Sequence, residues 1–194
     1  MSISQKGKWY EIEFSNNKEL FIILTVPHAE CVEYIEHTCD YTALSNAQNL
    51  SNILDSHNIK YILLIGDINR QESDLNRKES RKTKFHEELT LLLEEKRINH
   101  SVILLDIHSG NFGSQSLVIL KSKKFRELEL LDLIQNFTNA SIHVGSEENY
   151  IMEKALSYKI PALLIEFNEV FRYSDGFYQN FVKAIRIWYY NKSK

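Results

Sequence analysis

Four apolar runs in this chain end in residues able to do acid–base or metal chemistry. Leu20–Val26 (LFIILTV) runs into Pro27-His28-Ala29-Glu30, and Tyr61–Ile65 (YILLI) into Gly66-Asp67-Ile68-Asn69-Arg70. Ser101–Ile107 (SVILLDI) runs into His108-Ser109-Gly110, and Ala162–Phe167 (ALLIEF) carries Glu166 near its end. In open α/β sheets, sites gather just past the carboxyl ends of strands. Two imidazoles with one carboxylate make a common zinc set that leaves a position open for water. His28 and His108 supply the imidazoles. The acid is open at this point: Glu30 is nearest, Glu33 is within reach, and Asp106 precedes His108. Asp106 has a second possible use, orienting His108 from behind.

Glu166 sits inside an apolar run, where an unpaired carboxylate is costly to bury. Burial raises a carboxyl pKa toward neutrality, which suits a general base. The loop Asp67–Arg77 (DINRQESDLNR) holds Arg70, Asn76 and Arg77. A guanidinium grips a carboxylate in a bidentate fork, so these residues read as anion-recognition groups beside a metal. His86 opens His-Glu-Glu-Leu-Thr; position 90 is Thr, so the H-E-x-x-H pattern fails and His86 reads as a helix-surface or rim residue. His143 follows a weak strand and is a candidate for the cleft. Cys31 lies beside the site without a base to activate it.

The elements that must carry these groups alternate. The four runs above, together with Ser116–Leu120, read as strands buried on both faces. Lys8–Phe14 alternates more and reads as an edge strand, and Ala140–Val144 is a weaker strand. Helical periodicity covers Thr42–Ser56, Arg81–Lys96, Phe125–Phe137, Glu147–Tyr158 and Asp175–Tyr190, with Ser146 and Ser174 as N-caps. Basic residues 76–84 read as the solvated start of a helix. Strand–helix alternation predicts an α/β fold with a mixed, mostly parallel sheet, organised as a single domain over residues 1–194.

Composition narrows the function. A net charge of −3 and the lack of a face-long basic run argue against nucleic acid as partner. No run of roughly 18 apolar residues exists, so no membrane partner is expected. The N-terminus lacks a signal-peptide core. Two cysteines are too few for a disulfide framework, and a reducing cytoplasm is the expected setting. No G-x-G-x-x-G or Walker motif is present, which removes the usual nucleotide readings.

The ordered set Val26-Pro27-His28, Asp74-Leu75-Asn76-Arg77, Asp106-Ile107-His108-Ser109 and a late strand with Glu166 resembles the N-formylglutamate amidohydrolase family. That family is similar to zinc carboxypeptidases and to the succinylglutamate desuccinylase and aspartoacylase group. Phe85-His86-Glu87-Glu88-Leu89 is similar to a His-x-x-Leu helix in the amidohydrolases. The resemblance implies a three-layer α/β/α fold and Zn2+ bound by His28, His108 and a nearby acid, here Glu30. It implies Glu166 as base and Asn76-Arg77 as the grip on a substrate carboxylate; Arg70, in the same loop, is a separate candidate to stabilise an oxyanion. The activity implied is hydrolysis of an amide next to a carboxylate, in an N-acyl amino acid or small peptide. The chain departs from the desuccinylase pattern His-x-x-Glu, since position 31 is Cys. That departure motivates a second expectation, a non-catalytic carboxylate- or peptide-binding module on the same scaffold.

Overall fold

A computed structural model of the chain describes residues 3–5, 10–14, 20–31, 39–145 and 149–192. Its centre is an eight-stranded sheet in the order β1-β2-β4-β3-β5-β8-β6-β7. In chain order the strands are β1 (Ile3–Gln5), β2 (Tyr10–Phe14), β3 (Leu20–Val26), β4 (Lys60–Ile65), β5 (Ser101–Gly110), β6 (Leu117–Lys121), β7 (Ser141–Val144) and β8 (Ala162–Asn168). Pairs β3–β4, β3–β5, β5–β8 and β6–β7 are parallel, and β1–β2, β2–β4 and β6–β8 are antiparallel. The sheet is therefore mixed and mostly parallel, as expected. The expected Lys8–Phe14 edge strand is not the edge, because β1 pairs outside it.

Helices α1 (Ala43–Ser56), α2 (Lys84–Asn99), α3 (Leu128–Thr138), α4 (Tyr150–Ser157) and α5 (Asp175–Lys192) cover both faces. Residues of alternate parity on each strand divide the core. Ile22, Leu24, Ile103, Leu105, Leu163 and Ile165 pack with α1, α3 and α5. Phe21, Ile23, Val102, Leu104, Ala162 and Leu164 pack with Phe85, Leu89 and Leu93 of α2 and Ile151, Met152 and Ala155 of α4. This is the three-layer α/β/α arrangement. Each buried Leu, Ile or Phe contributes about 1.5–3 kcal/mol, so both layers are held by apolar burial.

Element ends differ from the periodicity reading in ways that matter for the site. Strand β5 continues three residues past Ile107 because His108, Ser109 and Gly110 pair with Glu166, Phe167 and Asn168 of β8. His108 therefore lies within a strand rather than in the loop after it. Helix α2 begins at Lys84, not Arg81, after a short 3-10 turn over Lys78–Lys82; Thr83 between them is extended. Helix α4 begins at Tyr150, with Asn149 as N-cap accepting from the Met152 N–H at 2.9 Å. The expected cap Ser146 lies outside the described residues.

Candidate functional site

Strand parity places the chemistry on one face. Thr25 on β3, Asp106 and His108 on β5 and Glu166 on β8 continue the register of the residues under α2 and α4. Past the apolar layer, that face turns polar. Thr25 and Asp106 are register partners on adjacent strands, and the Thr25 hydroxyl donates to Asp106 Oδ1 at 2.6 Å. Asn149 Nδ2 donates to Asp106 Oδ2 at 2.9 Å, and the same oxygen lies 3.1 Å from His108 Nε2. A buried carboxylate with three such partners is satisfied where it stands.

His108 meets a second carboxylate at its other nitrogen: Nδ1 lies 2.6 Å from Asp40 Oδ2. Burial alone would push the His108 pKa down, but the Asp106 and Asp40 carboxylates outweigh it and hold it well above the ordinary value. Asp40 shows the reverse balance. Burial raises its pKa, and the hydrogen bond and charge of His108, with Arg70, bring it below the ordinary value. Arg70 Nη2 bonds Asp40 Oδ1 at 3.2 Å, and its Nε is buried without a hydrogen-bond partner.

His28 is fully buried just past β3. Its ring centroid stands 5.5 Å from that of His108. Its Nε2 is 3.2 Å from Asp74 Oδ1, an ion-pair contact without hydrogen-bond alignment, and neither ring nitrogen has a hydrogen-bond partner. Burial, the largest influence, lowers the His28 pKa against the opposing pull of Asp74. Asp74 also accepts from the Asn76 N–H at 3.0 Å and lies 3.5 Å from Arg77 Nε. Asn76 Nδ2 stands 3.2 Å from His108 Nε2. Glu166 pairs in register with His108, and burial raises its pKa, with the His108 charge opposing.

The loop that brings Asp74, Asn76 and Arg77 to the histidines is pinned from below. Leu75 is buried in the α2/α4 layer. His86, on the first turn of α2, is fully buried, and its Nε2 is 2.8 Å from the Leu75 carbonyl. The helix-surface reading of His86 is thus corrected: it holds the site loop. Its signal in the sequence was its position one residue after Phe85 on an apolar helix face. Gly66 ends β4 against Pro27; a Cβ there would collide with the Pro27 carbonyl and stand 2.7 Å from Leu75 Cδ1.

Of the residues singled out from sequence, His28, His108, Arg70, Asn76 and Arg77 come together through Asp40 and Asp74. Glu166 adjoins them on β8. Glu30 is exposed, and Glu33 lies outside the described residues. His143 is exposed on β7, three strands from β5, and not in the cleft. The two cysteines, too few for a disulfide framework, are nonetheless joined to each other as Cys31–Cys39. Sequence reading missed Asp40, Asp74 as partner of His28, and Asn149. Asp40 lies 68 residues from His108, in a stretch without periodicity, so nothing local marks it.

The donor chemistry fits a divalent cation: a buried imidazole with unpartnered nitrogens, a second imidazole beside it, and carboxylates at both. Among the described residues, no group of three or more His, Cys, Asp or Glu side chains is placed to hold a metal ion. A cavity of about 610 Å3 lined by Arg97, His100, Tyr158 and Lys159 lies at the amino ends of β5 and β8, at the far end of the sheet from these groups.

Known structures share this architecture. Succinylglutamate desuccinylase from Vibrio parahaemolyticus superposes with a TM-score of 0.62 at 18% identity, over 95% of this chain and 62% of that one. N-formylglutamate amidohydrolase from Ralstonia eutropha gives 0.61 at 12%, over 97% and 99%. The product-bound cell shape determinant Csd4 from Helicobacter pylori gives 0.62 at 12%, over 98% and 55%. The fold is the zinc-carboxypeptidase-like one. This chain spans little more than half the length of Csd4 and under two thirds of that desuccinylase, but nearly all of the amidohydrolase. No protein-family model matches the sequence, and no curated protein matches it. No helix among the described residues is long and apolar enough to cross a membrane.

Proposed function

We propose that this chain is a zinc-dependent amidohydrolase that cleaves an amide bond next to a carboxylate, in an N-acyl amino acid or a small peptide. The observation that carries the reading is one juxtaposition: buried His28 and His108, 5.5 Å apart, beside a half-buried Glu166 in register with His108. The neighbours' names, amidohydrolase and desuccinylase, support the same class. His28 and His108 would hold the cation, which would supply Lewis-acid polarisation to the scissile carbonyl and the attacking water.

The chain's own residues supply the rest. Glu166, its pKa raised by burial, accepts a proton from water at a carboxylate oxygen and returns it to the leaving nitrogen. Arg77, half exposed at the cleft edge, and Asn76 hold the substrate carboxylate. Arg70, with an unpartnered buried Nε, faces the developing oxyanion. The Cys31–Cys39 bridge favours an oxidising compartment over the reducing cytoplasm read from the sequence.

A Glu166→Gln variant is expected to lose about 10²–10⁴ in kcat on N-acyl amino acids while keeping its metal. Loss of metal together with activity would instead make Glu166 a ligand. A second reading, the non-catalytic binding module, draws on the two carboxylates that occupy both nitrogens of His108. Elemental analysis decides between them, since a chain without affinity for zinc is the binding module.

A further inference from the structure

A glycine inside a strand weakens the ladder, and it often marks a place where a ligand approaches closely. Gly110 ends β5 two residues past His108, and so on the same face as His108 and Asp106. Its φ lies outside the left-handed region, so backbone conformation does not demand a glycine. Packing does not demand one either. A Cβ there would meet Phe112 ring carbons at 3.7 Å and Glu166 Oε2 at 3.8 Å, both ordinary contacts. Gly66 differs, since the Pro27 carbonyl leaves its Cβ no room. What the missing side chain leaves at position 110 is a gap between an aromatic ring and the carboxylate assigned above as base.

The walls of that gap are apolar and held in place. Val118 on β6 is the register partner of Glu166 on antiparallel β8, which sets their Cβ atoms about 4.5–5.5 Å apart on one face. Val118 and Phe112 are both half-buried, whereas Leu104 and Leu105 of β5 are fully covered. Phe112 lies on the β5–β6 loop. The side chain of fully buried Asn168 donates to the Gly113 carbonyl at 3.0 Å and to the Gln115 carbonyl at 2.7 Å, which pins the loop just past Phe112.

Sheet order decides which end of a substrate meets these walls. The loop with Asn76 and Arg77 follows β4, and Asn76 Nδ2 stands 3.2 Å from His108 Nε2. In the order β4-β3-β5-β8-β6, Val118 lies on the far side of Glu166 from that loop's strand. A substrate held by its carboxylate at Arg77, with its amide at His108 and Glu166, points its acyl group at Gly110, Phe112 and Val118. A succinyl group would there bring a second carboxylate against Glu166 and two apolar side chains.

We infer that Gly110, Phe112 and Val118 form an acyl site that selects an apolar acyl group of several carbons, aliphatic or aromatic, over formyl or succinyl. The inference rests on the amidohydrolase reading above, which supplies the carboxylate grip and the base that orient the substrate.

The test is a panel of amino acids carrying N-formyl, N-succinyl, N-hexanoyl or N-benzoyl groups, offered to the purified chain supplied with zinc. Turnover is read as kcat/KM from released amine, and affinity by calorimetry on Glu166→Gln. Hexanoyl and benzoyl members are expected to lead the formyl members by about tenfold or more in both readouts. Phe112→Ala is expected to lower that preference by about tenfold, and Gly110→Val, which fills the gap, to abolish it. Turnover that favours formyl or succinyl members overturns the acyl site and leaves the amidohydrolase reading standing. A preference unchanged in both Phe112→Ala and Gly110→Val overturns the acyl site as well. Apolar preference in affinity without turnover of any member overturns the amidohydrolase reading and keeps the acyl site, and the absence of both overturns both. Should Gly110→Val fail to melt cooperatively, Gly110→Ala takes its place, with a loss of about threefold or more expected for the benzoyl members; no loss overturns the inference.

Discussion

The two faces of this sheet obey the same alternation and end differently. Under α1, α3 and α5 the inward residues of β3, β5 and β8 are apolar through Val26, Ile107 and Phe167, with Ser109 at the end of β5 as the polar exception. Under α2 and α4 the same strands are apolar only part of the way and then present Thr25, Asp106, His108 and Glu166. The first face is a packing surface. The second is half packing surface, half polar network, and every polar group on it needs a partner from another element. That is why α2 and α4 carry more than apolar side chains. His86 and Asn149 reach from their first turns to hold Leu75 and Asp106.

The contrast can be broken by truncating each face. Ile185→Ala in α5, under the apolar face, is expected to cost about 2–5 kcal/mol of stability while leaving activity per folded molecule within twofold. Chemical denaturation beside kcat/KM checks it; a large change in kcat/KM would show that the faces are coupled.

The polar face should carry a pH dependence that the other lacks. Burial holds the His86 pKa down to about 4, against the opposing hydrogen bond that its ring donates to the Leu75 carbonyl. At pH 7 both folded and unfolded chains carry a neutral His86. Below about 6.5 the unfolded chain gains a proton that the folded chain refuses, so stability falls until the folded pKa near 4 is reached. The loss amounts to roughly 3 kcal/mol at most. Urea midpoints from pH 7 to 4 for wild type and His86→Gln check this. Parallel curves for the two proteins would rule out His86 as the source.

A smaller effect is expected at the junction of β4 with the site. Gly66→Ala forces a methyl against Pro27 and Leu75, at about 1–3 kcal/mol. Because those residues flank His28 and Asp74, zinc affinity should fall with stability. A variant of full stability and affinity would show that this junction yields easily.

Much of the architecture was legible in the sequence because it rests on short-range pattern. Continuous apolar runs gave the buried strands, and helical periodicity gave all five helices to within a few residues. The strand-end rule singled out His28, His108 and Glu166. The errors have local causes. Polarity at His108 marks the end of the apolar run Ser101–Ile107, while pairing with β8 extends β5 beyond it to Gly110. His86 was read as surface because a polar residue on a helix is usually solvated.

The sequence by itself determined which faces are apolar, since residue parity and period are fixed by backbone geometry. It also determined which strands end in ionisable groups. Only the tertiary structure decided the partners of those groups. Asp40 and His108, 68 residues apart, meet because the Asp40 N–H bonds the His28 carbonyl and neighbouring Cys39 is bridged to Cys31, not through any spacing. Asp74 meets His28, and Asn149 meets Asp106, for the same reason. A carboxylate's partner depends on which segments the fold brings within about 3 Å, and linear sequence carries no period for that.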